Sequence, residues 1–245
     1  MKKPILILKM GETLPYLYQR RGDFEDWIMA PLEKARTVFS VVSPYREDLP
    51  SDPTDFAGVI ITGSHAMVTD KETWSEQTAA WIPRVMESGI PLLGICYGHQ
   101  LLAQAMGGVV ENFPDGVELG TVQITLTDKA YQDPLFKGLP KRIKAHASHT
   151  QTVTQLPPDA ILLASGEDEP HHAFAMGPCA WGVQFHPEFD AHIMKTYVHA
   201  YAELMKAHGQ NPEKVIKEVA ETPLSQIILE RFVDIAISRQ TSDNL

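Results

Sequence analysis

Short, continuously apolar runs alternate with helical patterns through the first hundred residues, and this alternation restricts the fold more than any other feature. The runs are PILILKM (4–10), TVFSVVSP (37–44), FAGVIITG (56–63) and IPLLGIC (90–96). Helical patterns begin near Asp23, run from Glu72 to Ser88, and begin again near Gly98. A strand apolar at every position is covered on both faces, and strands joined through helices run parallel. The expected architecture is α/β: an open, twisted, mainly parallel sheet with helices on both faces.

The middle of the chain changes character. VELGTVQITLT (117–127), AILLAS (160–165), HAFAMG (172–177) and AWGVQFH (180–186) are strand-like and separated by Gly, Pro and Asp turn signals with little helix between them. They predict an antiparallel portion joined to the parallel sheet. DAHIMKTYVHAYAELMKAH (190–208) predicts one helix with Asp190 as its N-cap. GQNP (209–212) breaks the pattern and divides the chain into a main domain, 1–208, and a helical extension, 209–245. The second helical stretch of the extension carries Leu224, Ile228, Phe232 and Ile235 along one face. Docking of that face on its own domain is the plain expectation; a subunit interface, and with it a homo-oligomer, is the alternative.

Composition removes several function classes. No segment approaches the ~18 consecutive apolar residues of a membrane span. The N-terminal MKKPILILKMGE is broken by Lys9 and lacks a small-residue cleavage site, so it reads as a strand and not as a leader. The formal net charge is −10 and the basic residues are scattered, so nucleic acid is a poor candidate partner. Two cysteines, Cys96 and Cys179, make no disulfide framework, and a reducing, cytoplasmic setting is expected.

Gly94-Ile95-Cys96-Tyr97-Gly98 has the small-x-nucleophile-x-small spacing of a nucleophile elbow, in which a sharp strand-to-helix turn presents the central side chain. There the helix dipole and free N–H groups favour a thiolate; a small buried cysteine at a strand end is the plainer reading. A cysteine nucleophile needs an oriented base. In QFHPEF, His186 and Glu188 stand two residues apart in extended chain, so both side chains can point to one side. Cys96 and His186 both fall at predicted carboxyl ends of strands, where open α/β sheets carry their sites. TGSH (62–65) ends another such strand, with Gly63 allowing the bend that turns the Ser64 N–H toward the site and the Tyr97 N–H as a second oxyanion donor.

Together these residues resemble the class I, triad-type glutamine amidotransferases, in which a G-x-C-x-G-H-Q elbow is paired with a distant F-H-P-E; here the motifs are Gly94 to Gln100 and Phe185 to Glu188. The resemblance covers roughly residues 5 to 205 and implies a flavodoxin-like sheet. It implies Cys96 as nucleophile, His186 as general acid and base, and Glu188 as orienting carboxylate. Ser64 and Tyr97 would supply oxyanion N–H groups, with Gly63 and Gln100 on the substrate. ASHTQTV (147–153) resembles the family's S-H-G-D segment, which places Ser148 and His149 beside the substrate, although Thr150 stands where the family has glycine. GVELG (116–120) resembles the family's G-x-E-x-G stretch, a strand entry with turn glycines being an equally good reading. RRGDFEDW (20–27) and ITGSHAMVTD (61–70) look like a stand-alone subgroup related to GMP synthase amidotransferase domains and plant γ-glutamyl peptidases.

The chemistry this implies is hydrolysis of the glutamine side-chain amide through a γ-glutamyl thioester, releasing ammonia to a separate synthase subunit or an unknown acceptor. No cofactor is implied. Only 57 residues follow Glu188 and they are helical in pattern, so no acceptor domain is expected there. A γ-glutamyl peptide hydrolase and a non-catalytic regulatory or binding subunit are the alternatives. His171 and His172 beside GEDEP lack a third ligand at metal-site spacing, so no metal site is expected. Cys179 has no matched base, and Trp27, Trp74 and Trp81 are expected to be packing residues.

Overall fold

The computed structural model describes residues 3–35 and 38–242; Met1 and Lys2, Thr37 at the head of the second predicted strand, and 243–245 of the predicted extension lie outside them. The first half runs β1 (Ile5–Leu8), α1 (Pro15–Arg21), α2 (Phe24–Met29), β2 (Phe39–Val42), β3 (Gly58–Ile61), α3 (Thr73–Ser88), β4 (Leu92–Ile95) and α4 (Tyr97–Ala105). The second half runs β5 (Val109–Asn112), β6 (Glu118–Leu126), β7 (Arg142–His149), β8 (Gln151–Gln155), β9 (Ile161–Ser165), β10 (Ala173–Met176) and β11 (Ala180–Val183). Helices α5 (Ala191–Ala200), α6 (Ala202–Ala207), α7 (Pro212–Glu218) and α8 (Pro223–Ser242) close the chain.

Nine strands form one mixed sheet in the order β2-β1-β3-β4-β11-β10-β9-β6-β7, and β5 pairs with β8 in a small second sheet. Strands β2, β1, β3, β4 and β11 are parallel. Residues 180–186 were expected among the antiparallel strands, but β11 runs parallel to β4, with Val183 opposite Ile95, and only its other edge is antiparallel, to β10. The reason is the tight turn after β10, where Gly177 takes a φ of 56° and sends the chain back in the direction of β4. Strands β5, β7 and β8 were not foreseen. β7, RIKAHASH, alternates polar and apolar residues and carries two histidines, so it lacks the continuous apolar signal of the central strands.

Every residue of β1 and β4 is buried. Burying each such aliphatic side chain contributes about 1.5–3 kcal/mol, which makes these strands the fixed frame of the molecule. Trp81, Ile82 and Val85 of α3 cover one face. On the other, α8 sets Ile228, Leu229, Phe232, Val233 and Ala236 into the core, with the Phe232 ring 6.4 Å from that of Trp181. The apolar face of this helix therefore docks on its own chain. Leu224, expected on the same stripe, is 36% exposed, because the buried face begins one turn further on.

The helix expected over 190–208 is interrupted at Tyr201, whose backbone (φ −102°, ψ 15°) ends α5 and starts α6. Neither Gly nor Pro marks this break. Asp190 does cap α5, its carboxylate accepting the Ile193 N–H at 2.8 Å.

Candidate active site

The carboxyl ends of β3, β4 and β11 lie side by side, and each is followed by a functional candidate. Cys96 follows β4 directly and carries φ 50° and ψ −98°, a left-handed-side conformation costly for a residue with a Cβ. The turn is held from both sides: the Cys96 N–H donates to the Val183 carbonyl at 2.8 Å, and the Cys96 carbonyl accepts the Gln100 N–H at 3.1 Å. A Cβ on Gly94 would run into the Gly98 carbonyl, and one on Gly98 into the Ile61 carbonyl of β3. These glycines are required by close backbone approach rather than by their own φ. Cys96 is 5% exposed, and its Sγ lies 3.6 Å from the Ser148 carbonyl oxygen.

His186 is tied by its N–H to the His146 carbonyl at 2.8 Å, which brings the end of β7 against the site. Its Nδ1 lies 2.7 Å from Glu188 Oε1, so the i, i+2 spacing does deliver a carboxylate to the ring. The ring stacks on Phe189 with centroids 4.0 Å apart, and Phe24 stacks nearby at 6.4 Å. Phe24 is placed by a capping box in which Asp23 and Asp26 close the start of α2. Asp23 is held in turn by the buried Lys9 ammonium at 2.8 Å, with Glu25 on the same ammonium at 2.7 Å. Burial opposes charge on the His186 ring, but Glu188 and the Cys96 sulfur outweigh it and push its pKa up to about 10. With Nδ1 on Glu188, Nε2 is the nitrogen left for Cys96.

The Ser64 hydroxyl folds back to accept the Ala66 N–H at 3.1 Å, and Ser64 lines the pocket. The Tyr97 side chain points away, its hydroxyl 2.5 Å from Ser75 Oγ and its ring stacked on Trp74. Among the described residues, neither the Ser64 nor the Tyr97 N–H has a hydrogen-bond acceptor in the protein, and both residues line the pocket with Cys96. A Cβ on Gly63 would stand 2.9 Å from His186 Cε1, so glycine there admits the imidazole.

The pocket holds about 80 Å³ and is walled on one side by Gln100, Ser148, His149, Thr150 and Gln151. Gln100 Nε2 donates to the Gln151 carbonyl at 2.8 Å and to Gln184 Oε1 at 3.0 Å, which leaves its Oε1 as the atom for a ligand. The His149 ring is committed to protein partners, Glu118 and the Gln151 carbonyl. Sequence reasoning missed the opposite wall. His65 Nε2 and Nδ1 share hydrogen bonds with the Tyr197 and Tyr201 hydroxyls at 3.2 and 3.1 Å, and all three residues line the pocket. Tyr201 stands at the helix break between α5 and α6, which no Gly or Pro announces in the sequence.

Cys179 lies apart from the pocket and donates to the Gly89 carbonyl at 3.2 Å; burial pushes its thiol up. Trp27 packs on Phe24 and Phe189, and the Trp81 indole N–H donates to the Pro50 carbonyl. His171 Nδ1 lies 2.6 Å from the Val153 carbonyl. Among the described residues no group of three or more His, Cys, Asp or Glu is arranged to hold a metal ion.

A thiol, an imidazole and a carboxylate thus meet at the carboxyl edge of a doubly wound sheet, beside two unengaged N–H donors. Residues 22–201 match the family model for class-I glutamine amidotransferases. The chain belongs to that family of enzymes. It is 34% identical over 189 residues to the glutamine-hydrolyzing GMP synthase of Porphyromonas gingivalis, covering 77% of this chain and 33% of that protein. With the corresponding GMP synthase of Thermus thermophilus it shares 33% identity over 219 residues, 88% of this chain and 39% of that one. The chain therefore spans about a third of the length of such relatives. Its fold is that of a glutamine amidotransferase from Thermotoga maritima, with TM-score 0.76 and 20% identity over 96% of this chain and 99% of that one. A glutamine amidotransferase from Methylobacillus flagellatus superposes with TM-score 0.74 at 21% identity, covering 96% of both chains.

Proposed function

We propose that the protein hydrolyses the side-chain amide of glutamine, with Cys96 as nucleophile. The observation that carries this is the strained elbow, which sets Cys96 between the His186–Glu188 pair and the free N–H groups of Ser64 and Tyr97. The thiolate attacks the amide carbon and the carbonyl electrons move onto oxygen, where the two N–H groups stabilise the oxyanion by about 3 kcal/mol each. His186 gives its proton to the amide nitrogen, the C–N bond breaks, and ammonia leaves a γ-glutamyl thioester on Cys96. Neutral His186 then takes a proton from water as the hydroxyl adds to the thioester. The C–S bond breaks, glutamate departs, and the thiolate and protonated imidazole are restored. Glu188 keeps the ring in the tautomer that presents Nε2.

The GMP synthase relatives extend well beyond the matched region, and we assign the ammonia to a separate synthase chain acting as acceptor. Residues 1–208 are assigned as the amidotransferase domain and 209–245 as its extension. No helix among the described residues is long and apolar enough to cross a membrane.

The test is glutamate release from glutamine and from γ-glutamyl dipeptides, with and without a cell extract as a source of synthase. Glutamine is expected as the preferred substrate, with release lost in Cys96→Ala and a glutamine-like electrophile labelling Cys96 alone. Retained hydrolysis in that variant, or preference for the dipeptides, overturns the assignment.

A further inference from the structure

Glu118 and His149 form a second carboxylate–imidazole pair, facing each other directly across β6 and β7. His149 Nε2 lies 2.8 Å from Glu118 Oε2, and Nδ1 lies 2.9 Å from the Gln151 carbonyl. A carbonyl only accepts, so Nδ1 carries a proton; an ionised carboxylate only accepts, so Nε2 carries another. The ring is a buried imidazolium, its side chain 1% exposed. Burial opposes ionisation of Glu118, but its bonds to His149 and His172 prevail and hold the carboxyl at about 2. The same Gln151 carbonyl receives Gln100 Nε2. One chain of contacts therefore runs from Glu118 through His149 and Gln151 to Gln100, along the wall that faces Cys96. No step of the hydrolysis uses Glu118.

We propose that Glu118 is a positioning residue, acting through His149 to clamp the Gln151 carbonyl and so fix the wall against which bound glutamine rests. The proposal rests on the glutamine reading above. His149 has no nitrogen free to accept a proton, so it serves as a fixed donor and a fixed charge. The other titratable groups around the pair are His172, 3.5 Å from Glu118, with Asp168, Glu169 and His171 on the same connection before β10, His99 on α4, and Cys96. Glu118→Gln keeps the shape but removes the charge that holds the second proton on His149. Burial then favours the neutral ring, whose Nε2 accepts from the substituted amide while Nδ1–H stays on the Gln151 carbonyl, so the variant removes the fixed charge from this wall until acid restores the second proton.

The test uses the full chain with Cys96→Ser, expected to bind glutamine without turnover, and measures glutamine affinity by calorimetry. Adding Glu118→Gln is expected to weaken binding about tenfold near pH ~8. Near pH ~5.5 the gap is expected to shrink to about threefold or less, as His149 regains its proton. Adding Glu118→Asp, which retains the charge, is expected to bind within about threefold of the Cys96→Ser parent. Equal affinity in Glu118→Gln, or a gap that does not change with pH, overturns the proposal. Should Glu118→Gln fail to fold, Glu118→Asp carries the test, a tenfold loss overturning it. A Cys96→Ser parent that binds no glutamine overturns the glutamine reading itself and the proposal with it.

Discussion

Two buried histidine–glutamate pairs of almost equal length, 2.7 Å for His186–Glu188 and 2.8 Å for His149–Glu118, bring their histidines to the pocket of Cys96 and differ in the partner of the second ring nitrogen. In His186 that nitrogen is left for the Cys96 sulfur, so the ring can give up a proton and take one back. In His149 it is bonded to the Gln151 carbonyl, so the ring can only hold its place and its charge. The same two residue types thus make a proton carrier in one setting and a clamp in the other. The third partner decides between them.

The largest way to break this comparison is to remove the carrier. His186→Gln is expected to lower kcat/KM for glutamine by about 10³–10⁴-fold, and Glu188→Gln by about 10²-fold or more through loss of the correct tautomer. Initial rates of glutamate release check both, and a loss below tenfold in His186→Gln would erase the distinction from His149.

The two pairs are also expected to support the fold at opposite ends of the pH scale. The His186 pKa is raised from 6.5 to about 10, so its contribution is complete below pH 6.5 and lost as pH rises through 10. The Glu118 pKa is lowered from 4.5 to about 2, so its contribution is complete above pH 4.5 and lost as pH falls toward 2. Urea unfolding across the pH range should show His186→Gln flattening the alkaline flank and Glu118→Gln the acid flank. An acid flank left unchanged by Glu118→Gln, or flattened by His186→Gln, would contradict the assignment of charge states.

The smallest effect is expected at the other cysteine. Cys179→Ser keeps a donor for the Gly89 carbonyl, so glutamate release should stay within about twofold and stability within about 1 kcal/mol of the parent. Labelling by a glutamine-like electrophile should still stop at one site per chain.

The parts of the site that could be read in sequence are those built within a few residues. The elbow depends on glycines two positions either side of Cys96, and the carrier on two residues in one extended segment. The alternation of apolar runs with helical patterns likewise carried β1, β3 and β4, because strands buried on both faces need apolar residues at every position. β7 escaped because its half-polar pattern is shared with loops, and the direction of β11 escaped because a turn, not a strand, sets it. The wall of His65, Tyr197 and Tyr201 joins a loop to a helix break more than a hundred residues away, and no local spacing reports that.

The sequence by itself determined the class of fold and the reacting groups, since burial periodicity, glycine at a tight approach and i, i+2 geometry are properties of the local backbone. Only the tertiary structure decided that Glu118 meets His149, that the Gln100 amide is already half engaged, and that α8 packs onto its own core. These depend on strand register and on which face each element buries. Both are set by the free energy of the whole sheet closing at once and not by any segment of it.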